Sequence, residues 1–233
     1  GCIAQTMPLN ATDIDGDTLA WEITAPLRGT ASMDGGVVTY QPYLNDNGDD
    51  GFTATVSDGN GGSDSIAVSV TIQAVNDVPS FTVGGNKEVS EDCDIQTFFR
   101  WIETMSYGPD NESDQTLTFI LAVTDEAVTG GDALFAAGPA VSPEGMLTFT
   151  PADDAYGTAT VSIKVRDTGG GTTDTSAEQS FTIKVNPVND APELVTGPSV
   201  TGTFAAGHTV TAEPGIWSDE TDVNAGTMTY AYT

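Results

Sequence analysis

The chain has 233 residues and carries 34 acidic side chains against 6 Lys plus Arg, a net charge of −28. A surface so charged repels polyanions, which makes nucleic acid and anionic membrane poor partners. No apolar run approaches the roughly 18 residues of a membrane span, so no membrane insertion is expected.

The hydrophobic fraction of 38% is rich in Val, Ile, Phe and Tyr, with Thr, Gly and Asp between them. That is the composition of an all-β protein with acidic loops. A start without Met and without a leader-like segment reads as a piece of a longer polypeptide.

In chain order, the first feature is an acidic loop, Asp13-Ile14-Asp15-Gly16-Asp17, followed by the alternating "LAWEI". "GGVVTYQP" (Gly35 to Pro42) predicts a strand that follows a turn and ends in Pro. "FTATVSDGNGG" (Phe52 to Gly62) predicts a strand running into an Asp-Gly hairpin. In Ser65 to Val75, Ile66, Val68, Val70 and Ile72 alternate with small and polar residues, a period of two that places one face of a strand in a core. The segment ends on Val-Asn-Asp-Val-Pro.

The same order returns. "DNESDQTLTFI" parallels "DIDGDTLAWEI", "GMLTFTP" parallels "GGVVTYQP", and "TVSIKVRDTGGG" parallels the hairpin. Phe181, Ile183 and Val185 then alternate up to Val-Asn-Asp-Ala-Pro. Asn76 and Asn189 lie 113 residues apart, the size of one β-sandwich module.

The boundaries expected are a repeat over 1–77, a complete repeat over 78–190, and the opening strands of a third over 191–233. Only twelve residues precede Asp13, whereas more than thirty (Val78 to Pro109) precede Asp110, so the first repeat is expected to lack its first strand. "FFRWIETM" (Phe98 to Met105) allows a helical turn, which Gly108 and Pro109 close.

Catalytic signals are absent. His208 is the one histidine, no nucleophile elbow or phosphate loop occurs, and chance carboxylate pairs mean little among 34 acids. A non-enzyme is expected. Cys2 and Cys93 fall in different repeats and predict two thiols without a structural bridge. Trp21 alternates with Leu19 and Ile23, a core pattern; with Trp101 and Trp217 it is also the only material for a sugar-stacking strip.

"DIDGDTLAW", "VSDGNGG", "VNDVP" and "SFTIKVNPVNDAP" resemble the tandem cadherin-like, Ig-like repeats of bacterial surface adhesins and large secreted repeat proteins. The resemblance covers Asp13 to about Pro192, and the tail from Thr201 is similar to the opening of another Ig-like repeat. It implies tandem β-sandwiches in series and calcium held where repeats meet. At the first junction the matching residues are Asn76 and Asp77 of the linker with Asp110, Glu112 and Asp167. At the second they are Glu91, Asn189 and Asp190 with Asp219 and Asp222. Asp13, Asp15 and Asp58 match loops facing a preceding repeat. The linker is shorter than in cadherins and no mid-domain Asp-Arg-Glu motif is evident.

The residues themselves agree with that expectation. Calcium takes six to eight hard oxygens, which carboxylates at i, i+2 in extended loops supply. Crowded acids such as Asp13, Asp15 and Asp17 repel one another until a divalent ion reverses the sign. The function expected is an extracellular or cell-surface spacer, bacterial in origin, whose partners are neighbouring repeats of the same chain. The alternatives are a module binding surface polysaccharide and a filament subunit making homotypic head-to-tail contacts by strand donation.

Overall fold

A computed structural model describes residues 3–191, 193–202 and 204–218. Cys2, Asp219 and Asp222 lie outside the described residues. The described chain is all β apart from a single 3-10 turn at Asp110–Glu112, and none of its helices is long and apolar enough to cross a membrane. It divides into two compact units. One comprises 1–77 with 107–115 and 169–171; the other comprises 78–106, 116–168 and 172–233.

The first unit has six strands: β1 (Gln5–Pro8), β2 (Ala20–Ile23), β3 (Gly29–Asp34), β4 (Val37–Pro42), β5 (Gly48–Ser57) and β6 (Ser63–Ile72). They form two sheets ordered β1-β4-β3 and β2-β5-β6. The β3–β4 hairpin turns on Gly35 and Gly36 at φ 53 and 84, with Asp34 opposite Val37. Two consecutive positive φ values are what a two-residue hairpin needs to match strand twist, and glycine adopts them without a Cβ clash.

Val38 and Tyr40 of β4 meet Phe52 of β5 and Ile72 of β6 in the core between the sheets, and Tyr40 stacks on Phe52. The period of two read in β6 is only partly realised as burial. Ile72 is buried and Val68 and Val70 are half-buried, but Ile66 is 53% exposed. The physical reason is that β6 is an edge strand.

Asp50 ties the first unit's loops together. Its carboxylate accepts hydrogen bonds from the Tyr40 hydroxyl (2.7 Å) and from the backbone N–H groups of Leu27 (3.0 Å), Arg28 (2.9 Å) and Gly51 (2.8 Å). Burial opposes its ionisation, but these donors outweigh it and bring its pKa down to about 2 from 3.8. A carboxyl whose folded pKa is depressed contributes stability in full above its unfolded value, and that contribution fades as pH falls from about 4 toward 2. Asp50→Asn is therefore expected to lower stability at neutral pH by on the order of 1 kcal/mol. It should also flatten the loss of stability between pH 4 and 2, as read by circular dichroism melts.

The second unit adds β7 (Ser80–Val83), β8 (Lys87–Ser90), β9 (Gln96–Phe98), β10 (Ile102–Ser106), β11 (Thr118–Thr129), β12 (Phe135–Val141), β13 (Leu147–Pro151), β14 (Tyr156–Arg166) and β15 (Gln179–Asn186). The sheets run β11-β14-β15-β8, β12-β13-β9 and β10-β7. The "FFRWIETM" stretch is thus strand, turn and strand, with no helix. β8 lies parallel to β15, with Lys87 opposite Ile183 and Val89 opposite Val185.

The core here is larger and sealed. Leu134, Leu147, Val161, Ile163, Val165 and Ile183 are fully buried, and Phe149 lies between Phe98 and Phe135. Trp101 is 3% exposed and its indole N–H donates to the Gly85 carbonyl (3.1 Å), the partner a buried indole needs. Four further strands, β16 (Glu193–Thr196), β17 (Ser199–Gly202), β18 (Val210–Glu213) and β19 (Ile216–Ser218), pair as β16 with β19 and β17 with β18.

Candidate metal centres

Three groups of oxygen-bearing residues lie in loops at strand ends; in the first and third, carboxylate oxygens come within 4.8 Å of one another. The first is in the loops before β2 and after β5. Asp13 Oδ1 accepts the amides of Asp15 (2.9 Å) and Asp17 (3.0 Å), which curls the acidic loop back on itself around Gly16 at φ 78. Asp58 organises the β5–β6 hairpin in the same way, accepting the amides of Asn60 (2.7 Å) and Gly62 (2.9 Å). The Asn60 side-chain amide donates to Asp17 (2.9 Å) and links the two loops. Asp13, Asp17 and Asp58 consequently have carboxylate oxygens within 4.8 Å of one another. Asp15 contributes its amide to this loop and its side chain is exposed.

The second group lies beside Asn76 and Asp77 of the first Val-Asn-Asp-x-Pro, within the first unit. Glu112, on the 3-10 turn, is 5% exposed and accepts the Asp77 amide on Oε1 (2.9 Å). Its Oε2 is buried without a hydrogen-bond partner, as is Oε1 of Gln115, whose Nε2 donates to Asn76 Oδ1 (2.8 Å). Asp77 and Asp110 are exposed. Asp167 is placed with the second unit just beyond β14, 5% exposed, its amide donating to the Asp174 carbonyl (2.9 Å).

The third group lies at the second Val-Asn-Asp-x-Pro, within the second unit. Asp92, Asp154 and Asp190 bring oxygens within 4.8 Å of one another, and the Asp154 amide donates to Asp92 Oδ1 (3.1 Å). Beside them Glu91 is 2% exposed. Its Oε1 accepts the Val188 amide (2.7 Å), and its Oε2 is buried with no hydrogen-bond partner. Burial pushes the Glu91 carboxyl above its ordinary pKa. The Val188 amide opposes that, and the charges of Asp92, Asp190 and Asp154 add to it. Asn189 is exposed and its side-chain amide donates to the Asp190 carbonyl (2.9 Å).

The donor set is all hard oxygen, which suits calcium or magnesium and not a soft metal. Two buried carboxylate oxygens without partners, on Glu91 and Glu112, are costly unless a cation completes them, so these residues fit a divalent ion.

Asp17, Asp92, Asp154 and Gln115 join groups in which the sequence reading did not place them as ligands. A signal for one of them exists in the repeat. Asp154 follows Pro151 by three residues as Asn45 follows Pro42, and both have φ 56. Asp92 is also left-handed, at φ 57. Asp and Asn are among the few side chains that tolerate this region.

The alternative sugar-stacking strip loses Trp101, which is buried in the core, and the side chain of Trp217 lies outside the described residues. Trp21 is half-buried, so its core pattern is only partly fulfilled. Cys93 is a free thiol.

Residues 3–71 match the family model of the bacterial Ig domain. The first repeat is thus similar to that family, and the second unit repeats its strand order. Among solved structures, Drosophila N-cadherin EC1-4 is similar at 17% identity over 78% of this chain and 44% of that one, with a TM-score of 0.46. Human protocadherin-24 EC1-2 is similar at 16% identity over 75% and 85%, TM-score 0.46. Protocadherin gamma B2 extracellular cadherin domains 1-5 are similar at 13% identity over 82% and 41%, TM-score 0.44. The chain spans less than half the length of the N-cadherin and gamma B2 structures. No curated protein matches it.

Proposed function

We propose that this chain is a calcium-binding repeat segment of a cell-surface or secreted bacterial adhesin, a spacer stiffened by calcium beside its Val-Asn-Asp-x-Pro linkers. The observation that carries the reading is the pair of buried glutamates next to the two linkers, each with one carboxylate oxygen engaged by a linker-region amide and the other unpartnered.

The residues that would hold calcium are Asp13, Asp17 and Asp58; Asn76, Asp77, Asp110 and Glu112; and Glu91, Asp92, Asp154, Asn189 and Asp190. Asp15, Asp167, Asp219 and Asp222 complete the set that the cadherin resemblance brings. Bound calcium supplies positive charge that cancels carboxylate repulsion, together with a common anchor for loops that the backbone alone holds loosely. The chain's own part is to pre-set the loops. Glu91 and Glu112 pin the linker amides, while Asp13 and Asp58 fold their loops inward.

Pro79 and Pro192 restrict only part of each linker backbone, so in the absence of calcium the linkers act as hinges. Affinities of roughly 10⁻⁴ to 10⁻³ M, as in other extracellular modules, would keep the spacer stiff outside a cell and loose within one.

Thermal melts in calcium, magnesium and EGTA test the reading. At free calcium about 100-fold above Kd, each site adds about 2.7 kcal/mol. Magnesium should give much less, because it demands a tighter octahedral cage. Asp77→Ala and Asp190→Ala should each reduce the calcium increment, and Asp132→Asn, an equal charge change on an exposed turn, should leave it intact. Equal stabilisation by both ions, or an unaltered increment in both alanine variants, would sink the proposal.

A further inference from the structure

The dipeptide Asn-Gly occurs twice in the chain, at Asn47-Gly48 and at Asn60-Gly61, and the fold treats the two copies differently. In such a pair the asparagine side chain is open to attack by its own backbone, because the following residue has no Cβ to obstruct the approach of its nitrogen. How fast the attack proceeds in a folded protein depends on how firmly that nitrogen is held.

At the first copy it is held. Asn47 and Gly48 are half-buried, and Gly48 opens β5 in register with Ile72 of β6. At the second it is free. Asn60 and Gly61 are exposed in the β5–β6 hairpin, and Gly61, at φ 110, has open space on the side where a Cβ would stand. Its N–H has no hydrogen-bond partner among the described residues, because the bonds of the hairpin pass it by. Asp58 accepts the amides of Asn60 and Gly62, and the Asp58 amide donates to the Gly62 carbonyl (3.1 Å).

The amide at risk also occupies a sensitive place. Asn60 Nδ2 donates to Asp17 Oδ2 (2.9 Å) and so joins the hairpin to the acidic loop before β2, beside the gathered carboxylates of Asp13, Asp17 and Asp58. Among those anions it is the neutral, donating partner.

We propose that Asn60 is a site of spontaneous, enzyme-free deamidation, which turns a hydrogen bond between the two loops into a repulsion. The Gly61 nitrogen gives up its proton to solvent and bonds to Asn60 Cγ; the Cγ–Nδ2 bond breaks, ammonia leaves, and a five-membered succinimide remains. Water then opens the ring. Opening at Cγ gives aspartate, whereas opening at the Asn60 backbone carbonyl gives isoaspartate and lengthens the hairpin backbone by a methylene. Nothing is oxidised or reduced, and water is the only co-reactant. Either product lacks the Nδ2 donor and sets a fourth carboxylate among Asp13, Asp17 and Asp58. The step needs no metal and does not depend on the calcium reading.

The test incubates the full chain in mildly alkaline, calcium-free buffer, folded or in guanidinium chloride, and locates the amide-to-acid mass gain over time by tandem mass spectrometry. In the folded chain Asn60 should convert at least about tenfold faster than Asn47, which reacts only when the start of β5 opens. In the unfolded chain the two rates should converge. In EGTA, Asn60→Asp should melt below Asn60→Ala, since it adds a charge as well as removing the donor. The proposal is overturned if the two asparagines convert at equal rates in the folded chain, or if Asn60 keeps its amide while the unfolded chain converts. It is also overturned if Asn60→Asp melts no lower than Asn60→Ala.

Discussion

Phe149→Ala is expected to lower the unfolding free energy of the second unit by about 3–5 kcal/mol, read by denaturant melts followed through Trp101 fluorescence in a background with Trp21 and Trp217 replaced by Phe. The ring is 1% exposed on β13, stacked with Phe98 of β9 and edge-on to Phe135 of β12 at centroid separations of 5.8 and 5.7 Å. It therefore joins all three strands of one sheet, and fully buried Leu147 beside it on the same face leaves little freedom to collapse into the void. Tyr40 occupies the same place in the first unit, but its core cluster is much smaller and one side of it is open. Tyr40→Ala should consequently cost less than Phe149→Ala. A larger loss at Tyr40 would contradict the account of the two cores.

Glu91→Gln is expected to move stability in opposite directions with and without calcium. In EGTA the native glutamate holds a charge that burial and three neighbouring aspartates disfavour, with one oxygen unpartnered. A glutamine side chain in its place can keep the bond from the Val188 amide through its carbonyl oxygen while removing the charge, so the melting temperature without calcium should rise. In calcium the variant lacks the buried anionic oxygen. It should lose most of the calcium increment, on the order of 2–3 kcal/mol at saturating ion. At roughly 2–8 °C per kcal/mol for domains of this general size, both changes lie within the reach of calorimetry. Loss of stability in both conditions would mean that Glu91 is a structural hydrogen-bond acceptor and not a ligand.

Much of the fold is legible in the sequence because its signals are local. Gly35-Gly36 demands a two-residue turn, Asp58-Gly59 a hairpin, and the period of two in Phe181–Val185 a strand with one buried face. The same period in Ile66–Ile72 says less, since alternation specifies which side faces the core but not whether anything covers it. Ile66 is exposed because β6 is an edge strand.

The candidate sites divide along similar lines. Asn76, Asp77 and Glu112 could be read from the repeated linker and the loop it resembles. Asp92 and Asp154 could not be joined, because they are 62 residues apart and meet only once β8 and the β13–β14 turn are in place. Glu112 carries no pattern that foretells burial; it becomes special when the 3-10 turn sets its carboxylate under the Asp77 amide.

The parallel pairing of β8 with β15 has a mechanical consequence. These strands lie near the two points at which the chain enters and leaves the second repeat, so tension along the polypeptide pulls them in opposite directions along their length. The ladder is then loaded in shear, and its hydrogen bonds must break together instead of unzipping singly. Stretching the chain would thus meet a clamp in the second repeat.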